Sequence, residues 1–227
     1  MKITWLGQAG LLFECPDAKI MIDPYLSDSV GKIDPLKHRR VPVKEEIFGI
    51  KPDIMVFTHD HLDHYDPETV ERIITKDSGI TVLAPKSAWS KVRTIGGNNN
   101  FVSFNYNTVW SEKGVRFTAV KAEHSDDYAI GVIIEYKGKK YYVTGDTLYN
   151  KSIFADLPSN IYALFLPVNG VGNNMNMTDA VEFCREINPQ IAVPLHFGLF
   201  DSLDVSEFDY NNKIIPKIYE VILSEDN

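Results

Sequence analysis

Thr58-His59-Asp60-His61-Leu62-Asp63-His64 is the stretch from which the rest of the chain is read. The protein has six histidines in 227 residues, and three of them fall within six positions here, a density that composition does not produce. The stretch follows directly on Ile54 to Phe57, an apolar run with the character of a strand. In an extended segment His59 and His61 project to the same side. Asp66-Pro67-Glu68 then offers an N-cap, a first-turn proline and an early acid, and a chain turning into that helix brings Asp63 and His64 around. Three imidazoles and a carboxylate this close suit two metal ions better than one. Surface histidines capping a helix would explain one of them and not the array.

Three more residues stand in the same relation to a strand. His124 follows Val115 to Ala122, Asp146 follows Lys140 to Thr144 in Thr144-Gly145-Asp146-Thr147, and His196 follows Ile191 to Leu195. Side chains just past strand C-termini can converge at one edge of a sheet, where loops leave room for a substrate. Singly each has a plain alternative: a loop histidine, a turn residue after Gly145, a satisfied core histidine. With the cluster they account for five of the six histidines, which those alternatives do not.

Around these positions the chain is punctuated as strands in hairpin-rich groups with a few helices between. The first half offers strands at Lys2 to Leu6, Leu11 to Glu14, Lys19 to Ile22, Ile54 to Phe57 and Ile80 to Leu83, with a helix from Asp66. The second offers Val115 to Ala122, Ala129 to Tyr136, Lys140 to Thr144, Tyr162 to Leu166 and Ile191 to Leu195. There Val181, Cys184 and Ile187 mark an amphipathic helix from about Thr178 that Asn188-Pro189 stops. Gly96 to Asn100 reads as a surface turn, and the tail from Asp204 stays open because Pro216 interrupts a helical pattern. The repeated order predicts an α/β (α+β) chain of two packed mixed sheets with helices outside, in one domain over residues 1–227.

The bulk properties narrow the function. With 44% hydrophobic and 24% charged residues the chain is expected to bury a sizeable core, and disorder, collagen and coiled coil are excluded. Lys plus Arg number 23 against 31 for Asp plus Glu, and the net charge of −8 disfavours nucleic acid or an anionic membrane as partner. No apolar run approaches the roughly 20 residues of a membrane helix. Met1 to Phe13 is apolar but is broken by Gln8 and two glycines, without a small-residue cleavage site, so the expected location is cytoplasmic. Cys15 and Cys184 are expected as reduced core thiols, and self-association stays open.

At this point the chain resembles the metallo-β-lactamase superfamily, an αββα four-layer sandwich of two similar halves. The pattern T-H-x-H-x-D-H stands complete at 58 to 64, with the later His, Asp and His in order. The resemblance implies that His59, His61 and His124 hold one metal, that Asp63, His64 and His196 hold the second, and that Asp146 bridges. Asp23, in Ile22-Asp23-Pro24, looks like the early aspartate of the family, which orients a ligand histidine; it equally reads as the end of a strand. Lys2 to Gln8, Pro167-Val168-Asn169-Gly170 and Pro194 to Gly198 are similar to the L-ascorbate-6-phosphate lactonase group of metal-dependent hydrolases, although the chain is shorter than the lactonase.

Two divalent cations sharing a water lower its pKa from 15.7 toward about 7, so hydroxide is available without a protein nucleophile, and Asp63 or Asp146 can hold or receive a proton. Zinc and manganese both accept imidazole, carboxylate and water. The expected reaction is hydrolysis of a small anionic lactone or ester, with or without a phosphate. The alternative is a phosphodiesterase or phospholipase of the same superfamily. A di-iron redox enzyme of this fold resembles H-x-E-x-D, where His61 replaces the Glu, and a non-catalytic scaffold would have lost ligands that are all present. Lys37-His38-Arg39-Arg40 is either a solvated loop or, through Lys37, Arg39 and Arg40, a handle for phosphate. The loop Asn169 to Asn176 is either a turn into the next helix or, from Asn169, a binder of polyhydroxy compounds.

Overall fold

Apolar side chains alternate between two faces along most strands of the computed structural model, which describes residues 1–224. The strands are β1 Lys2–Gly7, β2 Gly10–Glu14, β3 Lys19–Ile22, β4 Ile54–Val56, β5 Thr81–Ala84, β6 Asn100–Ser103, β7 Val109–Glu112, β8 Val115–Lys121, β9 Ile130–Tyr136, β10 Lys139–Val143, β11 Ala163–Pro167, β12 Ile191–Leu195 and β13 Val221–Ser224. The helices are α1 Ser29–Ile33, α2 Pro67–Ile73, α3 Lys86–Val92 and α4 Met177–Ile187.

They build two mixed sheets, one ordered β13-β1-β2-β3-β4-β5-β6 and the other β12-β11-β10-β9-β8-β7. On the first, Ile20, Ile22, Ile54 and Val56 face the second sheet, while Met21, Met55 and Phe57 face outward toward Val70 and Ile73 of α2 and Ala88 and Val92 of α3. This is the period of two that a doubly covered sheet requires. Between the sheets Phe13 meets Tyr141 and Phe165 edge to face, at 5.9 and 5.8 Å. On the far side Tyr142 lies against Phe183 of α4. Helix, sheet, sheet, helix is the expected order of layers.

The first anticipated helix starts and the second stops on the expected residues, while Asn176 caps the second, which begins at Met177, one residue before the expected start. Asp66 accepts from the backbone N–H groups of Glu68 and Thr69, with Pro67 in the first turn. Asn176 accepts from Asp179 N at 2.9 Å, and Asn188 ends α4 in the left-handed region at φ +50°. Short elements without a strong periodic signal were not expected: α1, α3, and the edge strands β6 and β7, with β6 beginning at the end of the anticipated Gly96 to Asn100 turn. The tail includes β13, which pairs antiparallel with β1 and so adds Val221–Ser224 to the first sheet. Cys184 lies buried in α4, where burial pushes its thiol up to about 12, and Cys15 is half-buried; both are free. Among the described residues no helix is long and apolar enough to cross a membrane.

Candidate metal centre

Strand direction decides where the chemistry gathers. β3, β4 and β5 run parallel to one another, as do β10, β11 and β12; β1 and β8, each two antiparallel steps away, share those directions. Gln8, Asp23, His59 to His64, His124, Asp146, Asn169 and His196 all follow C-terminal ends of such strands. The sheets are stitched together at this edge by Ile130 N–H donating to Thr58 O at 3.0 Å. Gly145 permits the approach: it sits at φ +62°, and a Cβ there would lie 2.8 Å from Thr58 Cβ and 3.0 Å from Ile130 O. Without that glycine Asp146 would be held away from the histidine stretch.

Past Thr58 the chain makes one helical turn, with His64 N and Tyr65 N both donating to His61 O, and this wraps Asp63 and His64 beside His59. Three groups form among the described residues in which the ligating atoms lie within 4.8 Å of one another: His59, His61 and His124; Asp63, His64 and His196; and Asp23, His59 and His64, of which Asp23 lies behind the other two. Asp146 stands between the first two groups, its carboxylate oxygens 3.2 Å from His64 Nε2, 3.4 Å from His196 Nε2 and 4.0 Å from His124 Nε2. The structure thus brings together all seven side chains expected at the centre.

Each imidazole is held from behind by one ring nitrogen. His64 Nδ1 lies 2.8 Å from the fully buried Asp23 carboxylate, which also accepts from Thr58 N and from the Thr58 hydroxyl. The Thr58 hydroxyl is in turn 3.1 Å from His59 Nδ1. His124 Nδ1 donates to Asn173 O at 3.2 Å, and His61 Nε2 is 3.5 Å from Ser125 Oγ. The Asn169 carboxamide is 3.0 Å from His196 Nδ1. The opposite nitrogens, His59, His64, His124 and His196 Nε2 and His61 Nδ1, face inward, and a neutral ring with its proton at the rear presents a lone pair there; at His196 the rear Nδ1 is faced by two amide nitrogens, Asn169 Nδ2 and Gln8 Nε2. His59 Nε2, His64 Nε2, His196 Nε2 and Asp146 Oδ1 are buried and have no hydrogen-bond partner. An unsatisfied buried polar atom costs about 1–3 kcal/mol, so four aimed at one place fit a site that divalent cations complete.

The electrostatics agree. Burial and the neighbouring His64 push His59 well below the usual imidazole range, which keeps its lone pair available. Burial opposes charge on His64 and His196, but Asp146 outweighs it, with Asp23 on His64 and Asp63 on His196; His64 is raised well above the usual range and His196 is pushed up to about 10. Burial likewise opposes ionisation of Asp146, yet His196 and His64 hold its carboxyl well below the usual carboxylate range. The carboxylates therefore carry the negative charge that a cation pair neutralises.

The substrate candidates fare differently. The Arg39 guanidinium donates to Tyr25 O at 2.8 Å, Val41 O at 3.2 Å and the Tyr219 hydroxyl at 2.8 Å, so it braces the early loop against the tail. Lys37 pairs with Asp34. Arg40 is exposed, and its backbone N–H donates to Leu199 O, three residues past His196; among the described residues its guanidinium has no partner. Asn169 faces His196, and its loop carries two contacts that the sequence reading did not single out: Asn173 O behind His124, and Asn174 Nδ2 donating to Asp146 Oδ2 at 2.9 Å. Gln8 was missed as well, although a lone amide inside the apolar stretch from Met1 to Phe13 was its visible signal.

Known proteins match this chain in sequence and fold. The family described as beta-lactamase superfamily domain matches residues 2–196. A UPF0173 protein of Pyrococcus furiosus is 30% identical over 221 residues, covering 92% of this chain and 89% of the relative. A UPF0173 metal-dependent hydrolase of Thermoplasma acidophilum is 30% identical over 214 residues, covering 88% and 85%. Among solved structures, a metallo hydrolase from the archaeon Ignicoccus hospitalis shares the fold with a TM-score of 0.78 at 21% identity, over 100% of this chain and 99% of that one. From a family match over most of its length and a relative at 30% identity, the chain belongs to the metallo-β-lactamase superfamily.

Proposed function

We propose that this protein is a binuclear metal-dependent hydrolase of a small anionic lactone or ester, with or without a phosphate, similar to L-ascorbate-6-phosphate lactonase. The supporting observation is the set of seven histidine and aspartate side chains at one sheet edge, with the rear nitrogens of the histidines in contact with neighbouring groups and four buried inward atoms unpartnered. His59, His61 and His124 would hold one divalent cation, Asp63, His64 and His196 the other, and Asp146 both; zinc and manganese each suit this mixture of imidazole and carboxylate. Bound there, the cations supply an activated water at neutral pH and polarise the substrate oxygen. Asp63 and Asp146 are the carboxylates that hold or receive the proton of the attacking water. Arg40, the unengaged cation of the basic run, is the handle for an anionic substrate, and the net charge of −8 argues for a small cytoplasmic substrate over a nucleic acid.

The test is metal analysis of the purified protein followed by a hydrolysis screen of lactones, esters and phosphodiesters with Mn²⁺ and Zn²⁺. Two cations per chain and turnover of a lactone or ester are expected. One cation per chain would overturn the binuclear reading, and turnover of phosphodiesters alone would overturn the substrate class.

A further inference from the structure

Gln8 occupies the tight turn Gly7-Gln8-Ala9-Gly10 between β1 and β2, almost wholly buried and in the left-handed region at φ +48°. That conformation is unfavourable for a side chain of this kind, so its persistence needs a cause outside the turn. Its backbone carbonyl accepts from Trp5 Nε1 at 2.9 Å and from His196 N at 3.1 Å, which ties the turn to the backbone of a residue on the other sheet. Its side-chain Nε2 donates to Asp63 Oδ2 at 3.1 Å and lies 3.4 Å from His196 Nδ1. One residue thus reaches both Asp63, which follows the first sheet, and His196, which follows the second.

We infer that Gln8 is a positioning residue for the half of the centre formed by Asp63, His64 and His196. The inference rests on the binuclear reading above. A carboxamide suits this place because it donates to the Asp63 carboxylate without adding charge: a lysine would cancel the negative charge a cation needs, and a second acid would repel Asp63. Asn169 is the second carboxamide against the same ring, its Nδ2 lying 3.0 Å from His196 Nδ1. Gln8 makes no side-chain hydrogen bond to the His59, His61 and His124 group, so its influence is confined to one half.

The metal-free protein, titrated with Zn²⁺ against a chromophoric chelator, tests this in the wild type, in Gln8→Met and in Gln8→Gly. Methionine keeps the length without the donor. Glycine removes the side chain and also relieves the left-handed backbone. In both variants one of the two stepwise affinities is expected to fall about 10- to 100-fold while the other stays within about twofold. The melting temperature of the metal-free protein should hold for Gln8→Met and hold or rise for Gln8→Gly. Two cations in the wild type with unchanged affinities in both variants would overturn this inference alone. Equal loss of both cations, or a marked fall in the metal-free melting temperature of both variants, would make Gln8 a general structural residue and overturn it too. A wild type that takes up a single cation overturns the binuclear reading and this inference with it.

Discussion

Replacing Asp23 by asparagine changes one atom and should disturb both of the proposed metal positions. Asp23 is fully buried and accepts three hydrogen bonds: from Thr58 N at 2.8 Å, from the Thr58 hydroxyl, and from His64 Nδ1 at 2.8 Å. An amide has one acceptor oxygen, and keeping the Thr58 N–H bond turns its NH₂ toward the other two partners. The NH₂ then donates to Thr58 Oγ1, and the released hydroxyl donates to His59 Nδ1, 3.1 Å away. His59 must move its proton to Nε2, and His64 meets a donor where it had an acceptor. One atom thus spoils the inward lone pairs of two imidazoles that belong to different proposed metal positions. Losing the support behind one ligand costs about 10- to 100-fold in metal affinity, or about 1.4–2.7 kcal/mol, so both stepwise affinities should fall by that order in Asp23→Asn. The hydrogen bonds lost to the charged carboxylate should also destabilise the metal-free protein by about 1.5–3 kcal/mol. Chelator competition reads the affinities, and long-range ¹⁵N–¹H correlation spectra of the metal-free protein read the His59 tautomer, since that ring is neutral. Unchanged affinities, or a His59 that keeps its proton on Nδ1, would refute the reasoning.

Asp146→Ala should lose metal and activity together, and Asp146→Asn should be nearly as poor, because the charge between His64, His196 and His124 is what tolerates two adjacent cations; full activity with normal metal content in either variant would remove its bridging role. Metal uptake should release protons at pH 7, since His64 and His196 carry them in the metal-free protein and must give them up to bind. Apparent affinity should therefore rise with pH, through about 10 for the share of His196, and calorimetry in buffers of different ionisation enthalpy measures the count. Arg40→Ala should raise KM for a phosphorylated substrate more than for its unphosphorylated analogue, by about 1.5–3 kcal/mol equivalent, whereas Arg39→Ala should chiefly lower the melting temperature by freeing Tyr25 O, Val41 O and the Tyr219 hydroxyl; equal KM effects on the two substrates would rule out the Arg40 handle. Gly145→Ala should destabilise by at least about 1–2 kcal/mol from its left-handed backbone alone, with the contact at Thr58 added, and thermal melts of the metal-free protein check it.

The candidate site was legible to the extent that its chemistry is local. Three histidines in six positions and single ligand-type residues placed just past strands announce a metal centre, because a ligand must be of a given type and must sit where a strand ends. The elements that escaped, α1, α3, β6, β7 and β13, are short or lie at sheet edges, where half-exposed side chains carry little periodic signal and, for the strands, the free hydrogen bonds of a neighbouring strand decide the conformation. Asn169 shows the same limit at the site itself: its loop read as a turn or a substrate binder, and the structure places it against His196, with Asn173 and Asn174 against His124 and Asp146.

By itself the sequence determined the candidate ligand set, the alternation that builds two covered sheets, the Asp66 cap that starts α2 and the Asn188-Pro189 stop of α4, all consequences of residue type at fixed short spacing. Only the tertiary structure decided what stands behind each ligand. Gln8 is 55 residues from Asp63 and 188 from His196, and Asn174 is 28 from Asp146, separations at which no local rule operates; Asp23, 41 residues from His64, was named by resemblance alone. Those contacts exist because parallel strands from both sheets end at one edge and Gly145 lets the edges close, so they are properties of packing rather than of any stretch of chain.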